Sequence, residues 1–326
     1  MKSGLRNYFT SIGLALLVSF LSAGGAHASE GPARFAAATP EVMNKWCSDL
    51  KSEIKRLKWA IDPCIDGVQW KYGGVSNEGR SLIYTEFGNT QASNVTLILT
   101  MVHGDEITPL YIGLEVIHWL KEHESELKDS RVIVAPLVNP DGFYRAPKTR
   151  MNAHGVDVNR NFATKDWEVG AKKWKTAFRS DPRRFPGSAP RSEPETIFQE
   201  ELIRVFTPQK IMSVHSPLNH MDYDGPSALS LNKFPREYVH ECVRLQRELK
   251  AKSTGYFPGS LGNYAGRELG IPTITLELPT ADGTKAETYW NKFSQGIRSM
   301  IQFSMPKVVF EMMAPPAPVK VSTTKP

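Results

Sequence analysis

From residue 68 onward, short runs of apolar and β-branched residues alternate with longer amphipathic segments, and this alternation restricts the fold more than any other feature. The run at 94–101 is almost continuously apolar, as expected of a strand buried on both faces of a sheet. The segment 108–123 has apolar residues at helical spacing and a proline near its start. Strands alternating with helices predict an α/β fold: a mixed, mostly parallel central sheet with helices on both faces.

The same patterns give the remaining elements. A helix is predicted at 40–61, with Thr39 as its cap and Pro40 in its first turn. The other predicted strands are 81–87, 131–138, 210–214 and 273–278, and the other predicted helices are 194–206, 235–253 and 286–303. The basic, proline-rich stretch 165–191 predicts a long surface loop with one short helix.

The first 28 residues predict a signal peptide. Lys2 and Arg6 precede the apolar run 12–21, and residues 26–28 (Ala-His-Ala) have the small-x-small pattern of a signal-peptidase site. An uncleaved membrane anchor is the alternative, but this run is shorter than the ~20 residues that a spanning helix needs. We therefore expect a periplasmic or secreted protein without stable membrane insertion after cleavage.

The predicted signal peptide is the first of four segments into which we divide the chain. We expect a signal peptide at 1–28, an accessory segment at 29–67, a catalytic domain at 68–305 and a disordered tail at 306–326. Cys47 and Cys64 lie in the accessory segment, where an oxidising compartment would allow them to form a disulfide. That pairing is a hypothesis at this point.

The charge balance gives little reason to expect a nucleic-acid partner. The chain has 40 Lys and Arg against 34 Asp and Glu, and the signal peptide accounts for two of the basic residues. An excess this small is weak evidence for nucleic-acid binding, and we expect none.

Two histidines follow predicted strands. His103 and Glu106 stand three positions apart where one strand ends and a helix begins, and His215 ends another strand. Open α/β sheets place their sites at the carboxyl ends of strands, and a catalytic zinc typically has three imidazole or carboxylate ligands. A single His-x-x-Glu is a weak signal, and the second histidine strengthens it. Asp105 is a poorer ligand candidate, because its side chain points elsewhere in a tight turn.

Glu277 stands inside the apolar strand 273–278. Burying a carboxylate among Leu and Ile is unfavourable unless it is paired, bound to metal or working as an acid or base with a raised pKa. The alternative is an outward-facing residue on an edge strand.

A third group consists of Arg150, Asn159 and Arg160. A guanidinium group presents a planar fork of donors that matches a carboxylate, so these residues suit the binding of an anionic group. A basic surface loop is the alternative that local composition leaves open.

Together these residues resemble the zinc metallocarboxypeptidases of the carboxypeptidase A type. The matching pieces, within about 68–303, are residues 103–106 (His-Gly-Asp-Glu), 139–142 (Asn-Pro-Asp-Gly), Arg150, 155–162, His215 and Glu277. The resemblance implies the zinc carboxypeptidase fold and one zinc ion bound by His103, Glu106 and His215.

The resemblance also implies roles for the other residues. Glu277 would be the general base, and Arg150 would polarise the scissile carbonyl and stabilise the oxyanion. Asn159 and Arg160 would hold the terminal carboxylate of the substrate. Tyr256 stands near the position of the family's mobile tyrosine, as a substrate contact or as a hydrophobic packing residue.

Within this family, segments 150–157 and 215–226 resemble bacterial murein peptide amidases. These enzymes cleave the bond between γ-D-glutamate and meso-diaminopimelate in peptidoglycan peptides, so the resemblance implies a peptidoglycan peptide or another peptide as substrate. Asp222 and Asp224 would meet the distal amine of diaminopimelate or cap a turn. The alternatives are a general metallocarboxypeptidase, an aspartoacylase-type deacylase and a non-catalytic wall-binding module.

Overall fold

The computed structural model describes residues 35–225 and 257–304. Within them lies a seven-stranded sheet with the spatial order β1-β2-β4-β3-β5-β7-β6. The strands are β1 Trp70–Val75, β2 Ser81–Gly88, β3 Asn94–Thr100, β4 Ser130–Ala135, β5 Lys210–His215, β6 His220–Asp224 and β7 Thr273–Glu277. The central strands β4, β3, β5 and β7 pair in parallel, and the strands outside them pair antiparallel. The predicted mixed sheet is confirmed.

Helices cover both faces of this sheet. They are α1 Pro40–Leu57, α2 Thr108–Glu122, α3 Pro140–Tyr144, α4 Trp167–Thr176, α5 Pro194–Phe206 and α6 Ala286–Gln302, with a π-helical segment at Gly262–Glu268. One apolar core lies between the sheet and α1, α2 and α6, and a second includes α5. In β3, Ile98 enters the first core, while Leu97 and Leu99 enter the second. Burial on both sides explains the continuous apolar run of this strand.

Several predicted boundaries were wrong for local reasons. Helix α1 ends at Leu57, because Lys58 adopts a left-handed conformation and its N–H bonds back to Ile54. Strand β4 ends at Ala135, immediately before Pro136, which has no N–H to continue the ladder. Strands β1 and β6 were not predicted. The stretch 165–191 contains α4 and a short 3-10 turn, in agreement with the prediction.

Some predictions fall outside the described residues. These are the signal peptide at 1–28, the helix at 235–253 and the tail at 306–326, so the proposed division of the chain stays a prediction. Within the described ranges, none of the helices is long and apolar enough to span a bilayer.

A disulfide joins Cys47 in α1 to Cys64 in the loop before β1, which confirms the predicted pairing. The indole N–H of Trp59, between the two cysteines, donates to the carbonyl of Gly283 at 2.8 Å. The accessory segment is therefore attached to the part of the chain that leads into α6.

Removing this bridge is expected to destabilise the fold without affecting the site. Because the cysteines are 17 positions apart, loop-closure entropy predicts that Cys47→Ser with Cys64→Ser lowers the free energy of unfolding by about 3 kcal/mol. Urea denaturation of the native and doubly substituted proteins measures the difference. Equal midpoints would contradict a stabilising role for the bridge.

Candidate metal centre and active site

The sheet order brings the predicted site residues together. Strands β3, β5 and β7 are neighbours, with Thr100 opposite Val214 and His215 opposite Glu277. Their carboxyl ends therefore lie side by side, and the turn that leaves β3 carries His103 and Glu106. Residues more than a hundred positions apart converge because parallel strands end at one edge.

His103, Glu106 and His215 are buried and form a compact set of metal-ligating atoms, all within 4.8 Å of one another. Nδ1 of His103 lies 2.7 Å from Oε1 of Glu106 and 3.1 Å from Nδ1 of His215. Nδ1 of His215 lies 2.9 Å from Oε2 of Glu106. Bonds of about 2.0–2.1 Å to a tetrahedral zinc would place ligand atoms about 3.3 Å apart, so these residues fit the ion.

The surrounding hydrogen bonds orient both imidazole rings. Nη1 of Arg150 lies 3.0 Å from Nδ1 of His103, and a guanidinium can only donate, so this nitrogen offers a lone pair. The N–H of the ring is then at Nε2, which donates to Asp157 at 3.0 Å. Nε2 of His215 lies 3.0 Å from the hydroxyl of Ser213. Both rings thus turn Nδ1 towards Glu106. In metal-ligating histidines, a hydrogen bond to the second ring nitrogen fixes the ring in the same way.

The charges around this set keep its carboxylates ionised. Burial raises the pKa of Glu106, but electrostatic attraction and hydrogen bonds from His103 and His215 outweigh burial and the pKa is lowered. Burial likewise raises the pKa of Asp157, while Arg150 and His103 bring it well below its usual value. The centre therefore offers an ionised carboxylate to a cation at neutral pH.

Glu277 ends β7 and is half-buried at the side of this set. Its Oε2 accepts the N–H of Leu218 at 3.4 Å. The edge-strand alternative is wrong, because β6 covers β7 and places His220 directly opposite Glu277. The carboxylate faces the cleft and not a hydrophobic core. The desolvation cost expected for a carboxylate buried among Leu and Ile therefore does not arise.

Arg150 contacts the candidate ligand set directly. Its Nε lies 3.0 Å and its Nη2 2.9 Å from Oδ2 of Asp157, and its Nη1 lies 3.1 Å from Oε1 of Glu106. The side chain of Asn139 donates to the carbonyl of Arg150 at 3.2 Å. The basic-surface-loop alternative is wrong for Arg150, since only 17% of its side chain is exposed.

The Asn-Pro-Asp-Gly motif also supports the turn that holds the first two ligands. Asn139 caps α3 by accepting the N–H of Gly142 at 2.9 Å. A Cβ atom on Gly104 would lie 2.2 Å from the carbonyl carbon of Gly142, which no side chain tolerates. Close backbone packing between the two motifs therefore requires glycine at this position.

Asn159 and Arg160 line the same cleft on the wall next to segment 257–262. Oδ1 of Asn159 accepts the N–H of Leu261 at 2.8 Å, so its NH₂ group is oriented as a donor. The guanidinium of Arg160 lies 4.5 Å from the ring centroid of Phe257. Burial lowers the pKa of Arg160 to about 10, which leaves the group charged at neutral pH.

The cleft has a volume of about 430 Å³. Alternate residues of three adjacent strands point into it, as the pleat requires: Ser213 and His215 from β5, His220, Asp222 and Asp224 from β6, and Thr275 and Glu277 from β7. Asp222 and Asp224 lie within a strand, so the turn-cap alternative is wrong. Asp224 pairs with Arg267 at 3.1 Å, and burial raises its pKa.

Two residues that orient ligands were not assigned from the sequence. Asp157 lies in the quoted segment 155–162, and Ser213 stands two positions before His215, so strand alternation would have placed Ser213 on the same face. Asp105 points away from the ligand set to Arg183, as expected. Tyr256 lies outside the described residues.

Three converging ligands beside a carboxylate and a guanidinium, on an α/β sheet, define a metallohydrolase centre. The sequence pattern of the zinc carboxypeptidase family matches residues 66–319, and the chain belongs to that family. It is a metallopeptidase, and the family is zinc-dependent. Together with the candidate ligand set and Glu277, membership supports an enzyme over the non-catalytic alternative.

Individual relatives agree with this assignment. Murein peptide amidase A of Escherichia coli K12 is 31% identical over 224 residues, covering 65% of this chain and 84% of the relative. The Vibrio campbellii protein of the same name is 29% identical over 209 residues, covering 63% and 77%. A solved murein-tripeptide amidase from Escherichia coli O157 has a TM-score of 0.50 at 27% identity, covering 73% and 93%. The carboxypeptidase A of Helicoverpa armigera, at 21% identity and a TM-score of 0.58, covers 81% and 72% and shows the shared fold.

Proposed function

We propose that this protein hydrolyses the peptide bond before a terminal residue that bears a free carboxylate, and that its substrates are peptidoglycan peptides cut between γ-D-glutamate and meso-diaminopimelate. The observation that carries the proposal is one cleft lined by the ligand set, Glu277, Arg150 and the donors Asn159 and Arg160. The similarity to murein peptide amidases supports the choice of substrate.

The proposed roles follow from the positions of the side chains. One zinc ion held by His103, Glu106 and His215 would supply a Lewis acid that polarises a carbonyl and lowers the pKa of water. Glu277 accepts the proton of the attacking water and delivers it to the leaving amine. Arg150, held in place by Asp157, donates to the oxyanion that develops on the scissile carbonyl.

Two carboxylates on the sheet face next to Glu277 are evidence for a substrate whose terminal side chain carries an amine. Asp222 lies opposite Thr275, two positions along β7 from Glu277, and Asp224 follows at the next inward position of β6. These carboxylates are suited to the distal amine of diaminopimelate. Leu261 also lines the cleft and brings no charge of its own. The two carboxylates favour a substrate whose terminal residue carries an amine over the apolar terminal residues that a general metallocarboxypeptidase would accept.

The substrate is tested with zinc-loaded protein, defined muropeptides and mass spectrometry of the products. Release of diaminopimelate-containing fragments from tripeptides supports the proposal. Cleavage of ordinary peptide C-termini alone would instead establish a general metallocarboxypeptidase, and release of an acyl group from acylated amino acids alone would establish the deacylase. We also propose export by the signal peptide, which N-terminal sequencing of periplasmic protein tests by a start at Ser29.

Asn159→Ala is expected to lower kcat/KM about tenfold on peptides with a free terminal carboxylate, because it removes a donor to that charged group. Peptides with an amidated terminus should lose little, since they lack the charge. Steady-state kinetics on the paired peptides measures the effect, with Asn89→Ala in an exposed turn as the matched control. Equal losses on both peptides would refute the role.

A further inference from the structure

A short turn at one wall of the cleft carries two arginines that the proposed mechanism does not use. This arginine turn comprises residues 181–185 and contains the 3-10 segment Pro182–Arg184. The indole N–H of Trp174 donates to the carbonyl of Asp181 at 2.7 Å, and the ring packs on Phe185. The backbone N–H of Asp157 donates to the carbonyl of Phe185 at 2.8 Å. The turn is thus fixed at both ends, and one of its anchors belongs to the active site.

The two arginines of the turn differ in their surroundings. Arg184 pairs with Asp181 at 3.5 Å and lies over the ring of Phe178. Arg183 places Nη1 2.9 Å from Oδ2 of Asp105, with 56% of its side chain exposed at the cleft. Since a guanidinium has five N–H donors, one carboxylate partner leaves donors for a second anion.

The side chain of Arg183 has a different partner from the two donors of the proposed terminal-carboxylate site. Asn159 and Arg160 contact Leu261 and Phe257, whereas Arg183 contacts Asp105, which precedes the candidate ligand Glu106. The carbonyl of Arg183 accepts Nε of Arg150 at 3.2 Å, so Arg183 adjoins the group proposed to bind the scissile carbonyl.

We propose that Arg183 binds a second carboxylate, on the residue that precedes the scissile bond. The inference rests on the proposed function and adds a specificity determinant to it: preferred substrates carry an anionic group on each side of the cleaved bond. A γ-linked glutamyl residue meets this requirement, because its α-carboxylate stays free when the γ-carboxyl forms the amide. Asp105 keeps the guanidinium at the wall of the cleft.

The test compares two L-Ala-γ-D-Glu-meso-diaminopimelate tripeptides that differ only in whether the α-carboxyl of glutamate is free or amidated. Arg183→Gln should lower kcat/KM on the free acid about tenfold, mainly through KM, and leave the amidated peptide unchanged. Arg183→Lys should restore part of the preference. Arg204→Ala is the matched control, because this exposed arginine of α5 pairs with Glu201 outside the cleft.

The outcomes separate this inference from the proposed function. If wild-type protein cleaves both peptides and Arg183→Gln leaves their ratio unchanged, the second carboxylate site is wrong and the proposed function stands. Equal loss on both peptides would assign Arg183 a structural role and also overturn the inference. If wild-type protein cleaves neither, the proposed function fails, and the inference fails with it.

Discussion

Replacing Glu277 by glutamine is expected to lower kcat by about a thousandfold while zinc stays bound, because the substitution removes the proposed general base and none of the proposed ligands. Glutamine has nearly the same shape and can still accept the N–H of Leu218, which now lies 3.4 Å from Oε2. Substrate binding should change little. The result would therefore appear in kcat, with KM close to that of the wild type.

The measurement is steady-state turnover of a muropeptide or another cleaved peptide, together with elemental analysis of the same preparation. Glu126→Gln, on the exposed 3-10 turn after α2, is the control for a loss of carboxylate charge elsewhere. A Glu277→Gln enzyme with near-normal kcat would overturn the assigned mechanism. Loss of zinc with loss of activity would assign Glu277 to the metal instead.

The second large effect is expected for His215→Ala, which removes one of the three proposed ligands. Two ligands remain, and the carboxylate of Glu106 loses the imidazole 2.9 Å away. We expect zinc content to fall from about one ion per chain to a small fraction and turnover to fall below detection. Dialysed protein analysed for zinc gives the result directly.

His154→Ala serves as the control, because this exposed histidine pairs with Glu193 and is not part of the ligand set. Thermal unfolding provides a second measurement that does not depend on activity. Added zinc should raise the Tm of the wild type and of His154→Ala, and should leave that of His215→Ala unchanged. Full zinc occupancy in His215→Ala would contradict the ligand assignment.

The sequence predicted those parts of the fold that depend on local pattern. Helix α5 was predicted with its observed limits, since Pro194 begins it and its apolar spacing is helical. Strand β6 was missed because His220, Asp222 and Asp224 are polar, and their alternation marks a cleft wall instead of a solvent face. The position of β6 also determines the environment of Glu277, because local sequence alone did not show whether its strand lies at the edge of the sheet.

The candidate metal site could be predicted because each proposed ligand lies at or just after the end of a recognisable strand, and the resemblance to the family associated the three residues. Asp157 and Ser213 could not be assigned in this way, since orienting a histidine ring depends on distances across the fold. The same holds for Arg183, whose stretch was predicted only as a surface loop. Its contact with Asp105 joins residues 78 positions apart.

The sheet order has a consequence for biosynthesis. The ligands and Glu277 come from the neighbouring strands β3, β5 and β7, and β7 is the last strand along the described chain. A nascent polypeptide emerging from its N-terminus cannot assemble the catalytic constellation until residue 277 has been synthesised and its strand has docked. Nascent chains that stop before residue 277 would thus be proteolytically silent, because they lack the proposed general base.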